Sequence, residues 1–365
     1  MDRRLSSLVA SLAVLGGLAG PALAEDKVVN VYNWSDYIAD GVVDDFTKAT
    51  GTKVVYDVYD SMEVLETKML AGGSNYDLVV PTDRNLARMI KAGVFQKLDK
   101  SKIPNLSHMW SFVTDHLKSY DPDNQYAVNY MWGTDGIGYN IDKIKAIMPD
   151  APLDSWAMIF DPKVVSKFKD CGVELLDSPD DILPAALAYL GLKPDSKDPA
   201  DIQKAGDLVA SIAPYIQKFH SSEYINDLAN GDICMAVGYS GDVLQARSRA
   251  EDAKNNVNIG YSIPKEGALI WFDSFAIPKD APHPEAAYAF INFMEQPEIA
   301  ARNSNYVSYA NGNKDSQPLL DPAIAKDPSI YPPQEVLDKL FTTTPNDPAT
   351  QRIVTRVWTK VKSGT

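Results

Sequence analysis

The first third of the chain alternates between short apolar runs and segments with helical spacing. Runs rich in β-branched and aromatic residues are typical of strands, and they alternate with segments whose apolar residues recur at helical spacing. The strand-like runs are residues 28–32, 52–58 and 76–81, and the helix-like segments are residues 42–50, 63–71 and 86–92. Ser61 is expected to cap the second helix, and Gly51 to end the first. This order predicts a largely parallel sheet with right-handed crossovers.

The pattern changes near the middle of the chain and then resumes. Residues 126–132 and 137–140 are two strand-like runs with no helix between them, which is consistent with a crossover into a second lobe. Strands and helices alternate again from residue 173 onwards. Residues 268–277 form an extended segment that is expected to return to the first lobe. The sequence therefore predicts an α/β protein.

The chain begins with the features of a secretory signal peptide. Arg3 and Arg4 form a charged start, a short apolar stretch follows, and Ala22-Leu23-Ala24 is a small-x-small cleavage site. We therefore expect residues 1–24 to be removed and the mature chain to begin at Glu25 in the periplasm of a Gram-negative cell. The apolar stretch is too short to span a bilayer. The residue directly after the cleavage site is not a cysteine, so direct membrane anchoring is not expected.

The net charge narrows the range of partners. The full chain carries a formal charge of −14, and because residues 1–24 contribute +1, the mature chain carries −15. Such a charge argues against nucleic acids and anionic lipid surfaces as partners. It is compatible with a cationic ligand.

Motifs for enzyme chemistry and for metal binding are missing from the sequence. Gly238-Tyr239-Ser240-Gly241 resembles a nucleophile elbow, but its serine stands one position late for GxSxG. The sequence contains no P-loop and no GxGxxG. The histidines are scattered, and CxxC and HExxH are absent, so neither a cofactor nor a metal is expected.

Three short segments each combine an aromatic residue with a carboxylate: Trp34-Ser35-Asp36-Tyr37, Tyr239-Ser240-Gly241-Asp242 and Trp271-Phe272-Asp273. The first follows the first predicted strand, where open α/β sheets bind small ligands. Carboxylates neutralise ammonium groups, and aromatic faces cover methylenes and attract cations, so these segments fit a cation with an apolar middle. An alternative is that Trp34 and Trp271 belong to the core. Asp36, or Ser35 beside it, would then serve only as a cap of the first helix, as Asp242 would for a later helix.

The sequence contains two cysteines, Cys171 and Cys234. In an oxidising compartment an even number of cysteines favours a disulfide. Two buried thiols are the alternative, and parity by itself leaves both open.

Seven stretches of the chain together match one family. They are Val31-Tyr32-Asn33-Trp34-Ser35-Asp36-Tyr37, Lys53-Val54-Val55-Tyr56-Asp57, Asp77-Leu78-Val79-Val80-Pro81, Gly136-Ile137-Gly138-Tyr139-Asn140, residues 220–232, Ile263-Pro264-Lys265-Glu266-Gly267-Ala268 and residues 358–364. They resemble the periplasmic polyamine-binding proteins, which are the putrescine and spermidine receptors of ABC importers. The resemblance covers essentially the whole mature chain.

The resemblance implies a fold and a disulfide. The fold is the α/β, two-lobed periplasmic binding protein fold of type II, in which each lobe is a mostly parallel sheet flanked by helices and a hinge joins the lobes. Both lobes are expected to be discontinuous. The expected boundaries are residues 25–131 with 274–308 for one lobe, and residues 132–273 with 309–365 for the other. Cys171 and Cys234 match a paired position, which supports the bridge.

The resemblance also implies a set of ligand-binding residues. The expected set is Trp34, Ser35, Asp36, Tyr37, Thr82, Asp181, Tyr239, Asp242, Trp271, Asp273 and Tyr309. Asp242 and Asp273 match the family's ammonium-binding carboxylates. Asp181 falls where a glutamate usually reaches an ammonium, and Asp180 beside it is an alternative contact.

Four of these positions, Asp181 among them, differ from the family's usual residues and were weighed for ligand choice. Trp271 falls where putrescine receptors usually carry phenylalanine and spermidine receptors carry tryptophan. Tyr239 stands where a tryptophan is common, and Thr82 stands where putrescine receptors have a serine, which keeps the hydroxyl. The wider face of Trp271, and the shorter side chain of Asp181, which leaves more room at one end, lead us to expect a preference for spermidine over putrescine, with both bound.

The resemblance therefore implies a receptor and not an enzyme. We expect a monomer in the periplasm that captures a polyamine between its lobes and delivers it to the membrane permease subunits of an ABC importer. One alternative is a receptor for another organic cation such as agmatine. Another is a periplasmic polyamine-sensing subunit. An enzyme is the least favoured hypothesis, because the sequence shows no nucleophile motif.

Overall fold

The computed structural model describes residues 27–363, so the predicted signal peptide lies outside the described residues. These residues form a mixed α/β structure. The strands are β1 (Val28–Trp34), β2 (Lys53–Tyr59), β3 (Leu78–Val79), β4 (Ala127–Asn140), β5 (Val173–Leu175), β6 (Lys218–Phe219), β7 (Met235–Tyr239), β8 (Ile259–Ser262), β9 (Ile270–Ala276) and β10 (Ala310–Asn311).

Helices account for most of the remaining regular structure. The α-helices are α1 (Val42–Thr50), α2 (Met62–Ala71), α3 (Asp83–Lys91), α4 (Ser111–Leu117), α5 (Ile141–Ile147), α6 (Ala157–Phe160), α7 (Pro162–Val165), α8 (Pro179–Tyr189), α9 (Pro199–Ile212), α10 (Tyr224–Asn230), α11 (Ser240–Ala253), α12 (Pro284–Met294), α13 (Pro297–Val307), α14 (Pro322–Ala325), α15 (Gln334–Leu337) and α16 (Pro348–Ser363). Short 3-10 helices lie at Lys100–Lys102, Pro104–His108, Pro122–Asn124, Ser166–Cys171, Ala213–Tyr215 and Lys314–Leu319. Across residues 27–363, no helix combines the length and the apolar character needed to cross a bilayer.

The strands pair in the order β2-β1-β3-β9-β4-β7-β5-β6, and β8 and β10 add to β4. β1 is parallel to β2 and β3, and β5 is parallel to β6 and β7. Two parallel groups of this kind are what the alternation of strand and helix signals predicts, because parallel neighbours need a crossover between them. β9 and β4 run antiparallel to their neighbours and join the two groups.

β4 runs through both halves of the molecule. Its first part, as far as Thr134, pairs with β9, and its second part, from Asp135, pairs with β7 and β8. The sequence analysis expected two separate strands here. The structure forms one continuous strand instead, because the residues between the two expected runs stay extended and complete both ladders.

Buried apolar side chains form separate clusters on the two sides of this crossover. In the part that we call the first lobe, Val31 and Phe275 pack with residues of helices α1 and α12. Leu86 of α3 packs there with residues of α2. The part that we call the second lobe packs Leu175 and Trp358 with helices α8, α9, α11 and α16. The two lobes therefore have their own cores and meet along β4 and β9.

Helix starts follow their sequence signals at some positions and not at others. Ser61 caps α2 as predicted, and its hydroxyl accepts a hydrogen bond from the N–H of Val64. Ser35 and Asp36 do not cap α1, which begins only after Gly41 in a left-handed conformation with a φ of 77°. The expected cap is wrong because a turn separates these two residues from the helix.

Cys171 and Cys234 form a disulfide bridge, which confirms the prediction. Their Cα atoms are 5.4 Å apart, and 63 positions separate them along the chain. The bridge lies within the second lobe. It fastens the residue before β7 to the segment that leads into β5, and these two strands are parallel neighbours.

Candidate ligand-binding cleft

A cleft lies between the lobes, at the edge where several strands end. β1 and β7 end at the cleft, and α3, α8 and α11 begin there. Open α/β sheets bind ligands at this edge because the carboxyl ends of the strands and the N-termini of the helices meet there. The cleft encloses about 670 Å³ of empty space, part of it open to solvent.

Ten of the eleven predicted site residues line this cleft. They are Trp34, Ser35, Tyr37, Thr82, Asp181, Tyr239, Asp242, Trp271, Asp273 and Tyr309. Asp36 lies outside it, because its backbone is left-handed with a φ of 54° and its carboxylate pairs with Arg249 at 2.5 Å. The expectation that Asp36 lines the pocket therefore does not hold. The residue forms an exposed ion pair between the lobes instead.

Aromatic rings form a continuous series along the cleft. The ring centroids are 6.4 Å apart for Trp34 and Tyr239, and 5.7 Å apart for Tyr239 and Trp271. Tyr309 and Tyr37 continue the series, 5.4 Å from Trp271 to Tyr309 and 5.1 Å from Tyr309 to Tyr37. Because Trp34 belongs to the first lobe and Tyr239 to the second, the series crosses from one lobe to the other.

Both indole N–H groups in this series are bonded to the protein. Trp34 donates to the carbonyl of Val80 at 3.0 Å, and Trp271 donates to the carboxyl of Asp135 at 3.1 Å. These bonds satisfy the polar edge of each ring. What each indole offers to a ligand is therefore its apolar face, which attracts cations and covers methylene groups.

Asp242 is buried in the first turn of α11, where its side chain meets two phenolic hydroxyls. Its carboxylate oxygens accept hydrogen bonds from Tyr309 and Tyr224, both at 2.7 Å. Gly241 permits the approach of Tyr309, because a Cβ at that position would lie 2.4 Å from the ring. Burial raises the pKa of Asp242 to about 6, even though both hydrogen bonds act to lower it.

Asp273 lies on β9 and is also buried. Its Oδ1 accepts a hydrogen bond from the Thr82 hydroxyl at 2.6 Å. The Tyr37 hydroxyl makes no complete hydrogen bond within residues 27–363, but it lies close enough to lower the pKa of Asp273. Burial is the larger effect and raises that pKa to about 7. Because Asp242 and Asp273 both act on Tyr37, they border the same ring, and we call them the aspartate end of the cleft.

Asp181 contacts the series of rings at a different point, through Tyr239. Its Oδ1 accepts a hydrogen bond from Arg84 Nη2 at 2.5 Å, and its Oδ2 accepts one from the Tyr239 hydroxyl at 3.1 Å. Burial on its own lowers the pKa of Arg84, but Asp181 and other carboxylates together raise it above its usual value, so the guanidinium stays charged. We call Asp181 and Arg84 the arginine end of the cleft.

The sequence analysis missed four charged residues here: Arg84, Asp60 and Glu63 line the cleft, and Asp135 accepts a hydrogen bond from the indole of Trp271. A signal for Arg84 existed, because a cation in the first turn of a helix opposes the helix dipole and so needs another role. Asp135 stands among apolar and glycine residues of β4. Its second oxygen is buried and has no hydrogen-bond partner in the described chain. Burial, and then Asp181, raise its pKa well above the usual range.

The chemistry of the cleft is that of a cation site. Within residues 27–363, no group of three or more His, Cys, Asp or Glu side chains is placed to hold a metal ion. The buried carboxylates are instead surrounded by hydroxyls and aromatic faces, which suit an organic ammonium.

The match to a family model identifies the class of protein. The model for bacterial extracellular solute-binding proteins matches residues 41–332. The chain is a bacterial extracellular solute-binding protein. This family consists of receptors and is not an enzyme class.

Individual relatives of this solute-binding protein have narrower names. It is 56% identical to the putrescine-binding periplasmic protein SpuD of Pseudomonas aeruginosa, over 100% of both chains. It is 50% identical to the putrescine-binding periplasmic protein PotF of Escherichia coli, over 99% of this chain and 98% of that protein. A solved structure of the spermidine/putrescine ABC transporter substrate-binding protein PotD from Streptococcus pneumoniae aligns with a TM-score of 0.75 and 29% identity, over 93% of this chain and 99% of that chain. These matches confirm the predicted family resemblance and the two-lobed fold.

Proposed function

We propose that this protein is a periplasmic receptor that binds a polyamine in the interlobe cleft and delivers it to the permease of an ABC importer. The aspartate end carries the proposal. Asp242 and Asp273 are buried, and among the described residues neither is ion-paired with a lysine, an arginine or a histidine. Two buried carboxylates beside a row of aromatic faces favour an alkyl ammonium as the missing partner. The names of the relatives from P. aeruginosa and E. coli support the same ligand class.

The raised pKa values explain how the cleft uses charge. Values of about 6 for Asp242 and about 7 for Asp273 mean that ionisation of these buried groups is costly without a partner. An ammonium group offsets that cost because an opposite charge nearby favours the ionised form. The methylenes of the ligand then lie against Trp34 and Trp271. Selection for a cation thus follows from the protein's own unsatisfied charge.

Ligand binding is expected to stabilise the closed arrangement of the lobes. Trp34, Tyr37 and Thr82 belong to the first lobe, whereas Asp242 and Tyr239 belong to the second. A ligand that contacts both sets makes contacts in the closed state that an open state lacks. A receptor of this kind works as a monomer, and its closed form is the one that the permease partner recognises.

Binding without chemical change is part of the proposal. The cleft hydroxyls of Thr82 and Tyr309 donate to Asp273 and Asp242, the carboxylates that bind the ammonium in this proposal, so they hold these carboxylates in place. Among unmodified polyamines, the broad face of Trp271 favours spermidine over putrescine.

The proposal is tested by calorimetric titration with putrescine, cadaverine, spermidine and agmatine, followed by mass spectrometry of the released ligand. Saturable binding of at least one polyamine and recovery of the unchanged ligand are expected. Failure to bind any of them contradicts the proposal, and a chemically altered product contradicts the receptor assignment. Loss of polyamine uptake after deletion of the gene separates an importer subunit from a sensor, because a sensor leaves uptake intact.

A further inference from the structure

Arg84 places a protein cation inside a cleft that is proposed to bind cations. Its side chain is only 6% exposed and extends from α3 in the first lobe to α8 in the second. Nη2 donates to Asp181 at 2.5 Å. Nε lies 3.8 Å from Asp180, which is close enough for ion pairing but too far for a hydrogen bond. A guanidinium therefore stands where a ligand's second ammonium is expected.

Asp181 has no oxygen left for that second ammonium. One oxygen accepts from Arg84 and the other from Tyr239. A ligand ammonium at this end would have to displace one of these donors or approach the buried guanidinium closely. Like charges held close together in a desolvated site repel strongly. Pairing with Asp181 is therefore disfavoured for the second cationic group of a diamine.

Arg84 also presents donors that the protein does not use. Nε and Nη1 are buried and make no hydrogen bond to any residue in 27–363. Unsatisfied buried donors are costly, so an acceptor from a ligand is favoured there. Asn85 and Ser221 line the same cleft, and the Asn85 Oδ1 and the Ser221 hydroxyl are likewise buried and unbonded within the described chain. Together these atoms match a group that both accepts and donates hydrogen bonds, as an amide does.

We propose that Arg84 determines ligand specificity as a built-in cation, so that the cleft selects a mono-N-acylated diamine or polyamine over the unmodified amine. The inference rests on the proposed function, because the free ammonium of the ligand binds the aspartate end. The amide carbonyl accepts from Arg84, and the amide N–H donates to Asn85 or Ser221. A carboxylate would also accept from Arg84, but it would face Asp180 and Asp181, so the neutral amide is favoured.

Titration of four ligands that share a four-carbon chain tests this assignment. Putrescine carries a second ammonium, N-acetylputrescine an amide, 4-aminobutyrate a carboxylate and butylamine an apolar end. The wild-type protein and the Arg84→Ala variant are compared by calorimetry. Arg88→Ala is the matched control, because Arg88 lies one turn further along α3 and pairs with Glu66 and Asp180 without lining the cleft.

The wild-type protein should bind N-acetylputrescine at least about tenfold more tightly than putrescine or butylamine, the scale of one good charge interaction. Arg84→Ala should reverse the order: putrescine should tighten by about tenfold, and N-acetylputrescine should weaken to the level of butylamine. Arg88→Ala should leave the order unchanged, because it removes an equal charge without removing donors from the cleft.

Tighter wild-type binding of putrescine than of N-acetylputrescine overturns the proposal, and this comparison needs no variant to fold. An unchanged preference in Arg84→Ala also overturns it, as does a preference for 4-aminobutyrate. All of these outcomes leave the receptor function standing, because an amine is still bound. If the wild-type protein binds none of the four ligands and no longer polyamine, the proposed function itself has failed.

Discussion

The two ends of the cleft use the same residue type for different purposes. Asp242 and Asp181 are each the third residue of a helix, α11 and α8 respectively, and both are buried. Asp242 receives only hydroxyl donors, whereas Asp181 receives the guanidinium of Arg84. Hydroxyls satisfy hydrogen bonds but leave a negative charge without a counterion. Whether a buried carboxylate is available to a cationic ligand therefore depends on its hydrogen-bond partner and not on its position in the helix.

The largest expected effect comes from neutralising the aspartate end. Asp273→Asn should weaken amine binding by about 2–5 kcal/mol, because it leaves the ligand's ammonium desolvated without its charge partner. Asp181→Asn should weaken amine binding less, because Arg84 already pairs with Asp181 and the free ammonium of the ligand is proposed to bind at the aspartate end. Calorimetric titration measures both. Asp36→Asn, outside the cleft, is the control, and equal losses in Asp273→Asn and Asp181→Asn would mean that the two ends are equivalent.

The next largest effect is a dependence of binding on pH, to which the aspartate end contributes two groups. In the proposed complex the ligand binds the ionised carboxylates, so amine affinity should fall as the pH drops through about 7 and about 6, the pKa values of Asp273 and Asp242. The fall approaches about tenfold per pH unit for each protonated group. Titrations in buffers of different ionisation enthalpy should detect protons released on binding near pH 6.5. Binding without proton release would contradict the raised pKa values.

The same groups affect the stability of the ligand-free protein with the opposite sign. Their folded pKa values lie above the usual value for aspartate, so their contribution to stability is present at low pH and is lost as the pH rises through about 6 and about 7. The melting temperature of ligand-free protein should therefore contain a component that falls as the pH rises from about 4 to about 7 and levels off above it. Asp273→Asn should flatten this component, and saturating amine should remove it.

A smaller effect is expected at the middle of the cleft, between the two ends. Trp271→Phe should weaken spermidine more than putrescine, by up to about 2 kcal/mol, because the narrower ring covers less of a longer chain and attracts its secondary ammonium less. The substitution also removes the bond from the indole to Asp135. Asp135→Asn keeps an acceptor for that bond and is the matched control. Equal weakening of both ligands by Trp271→Phe would show that the ring contacts both ligands without selecting between them.

The smallest effect is expected from the exposed ion pair outside the cleft. Arg249→Gln breaks its contact with Asp36, which joins the lobes at a partly exposed site. Exposed ion pairs contribute about 0–1 kcal/mol, so amine affinity should change by no more than a few-fold. Titration of Arg249→Gln, Asp36→Asn and the double variant at low and high salt measures the coupling. A loss as large as that of Asp273→Asn would show that closure of the lobes, and not charge in the cleft, dominates binding.

Much of the fold was predictable because its signals are local. The predicted helix at residues 42–50 coincides with α1, since it has helical spacing and a glycine directly after it. The continuity of β4 was not predictable. Its central glycines weaken the strand signal, and only pairing with β9, β7 and β8 keeps that stretch extended.

The position of the cleft residues could be anticipated, but their partners could not. Family motifs placed Asp242, Asp273 and Asp181 at strand and helix ends, and the structure puts all three around one cleft. The pairing of Arg84 with Asp181 joins residues that are 97 positions apart on different lobes, so no local pattern encodes it. The position of Asp36 was missed for a related reason, because a single left-handed residue redirects its side chain.

The Cys171–Cys234 bridge makes the stability of the second lobe depend on whether its thiols are oxidised. Closing a loop between residues 63 positions apart removes chain entropy from the unfolded state worth roughly 4 kcal/mol. This contribution exists only where thiols are oxidised. A newly synthesised chain in a reducing cytoplasm lacks it, so its second lobe spends more time unfolded and remains threadable through a secretion channel. Once oxidised on the far side of the membrane, the same lobe resists unfolding, and retrograde passage is disfavoured.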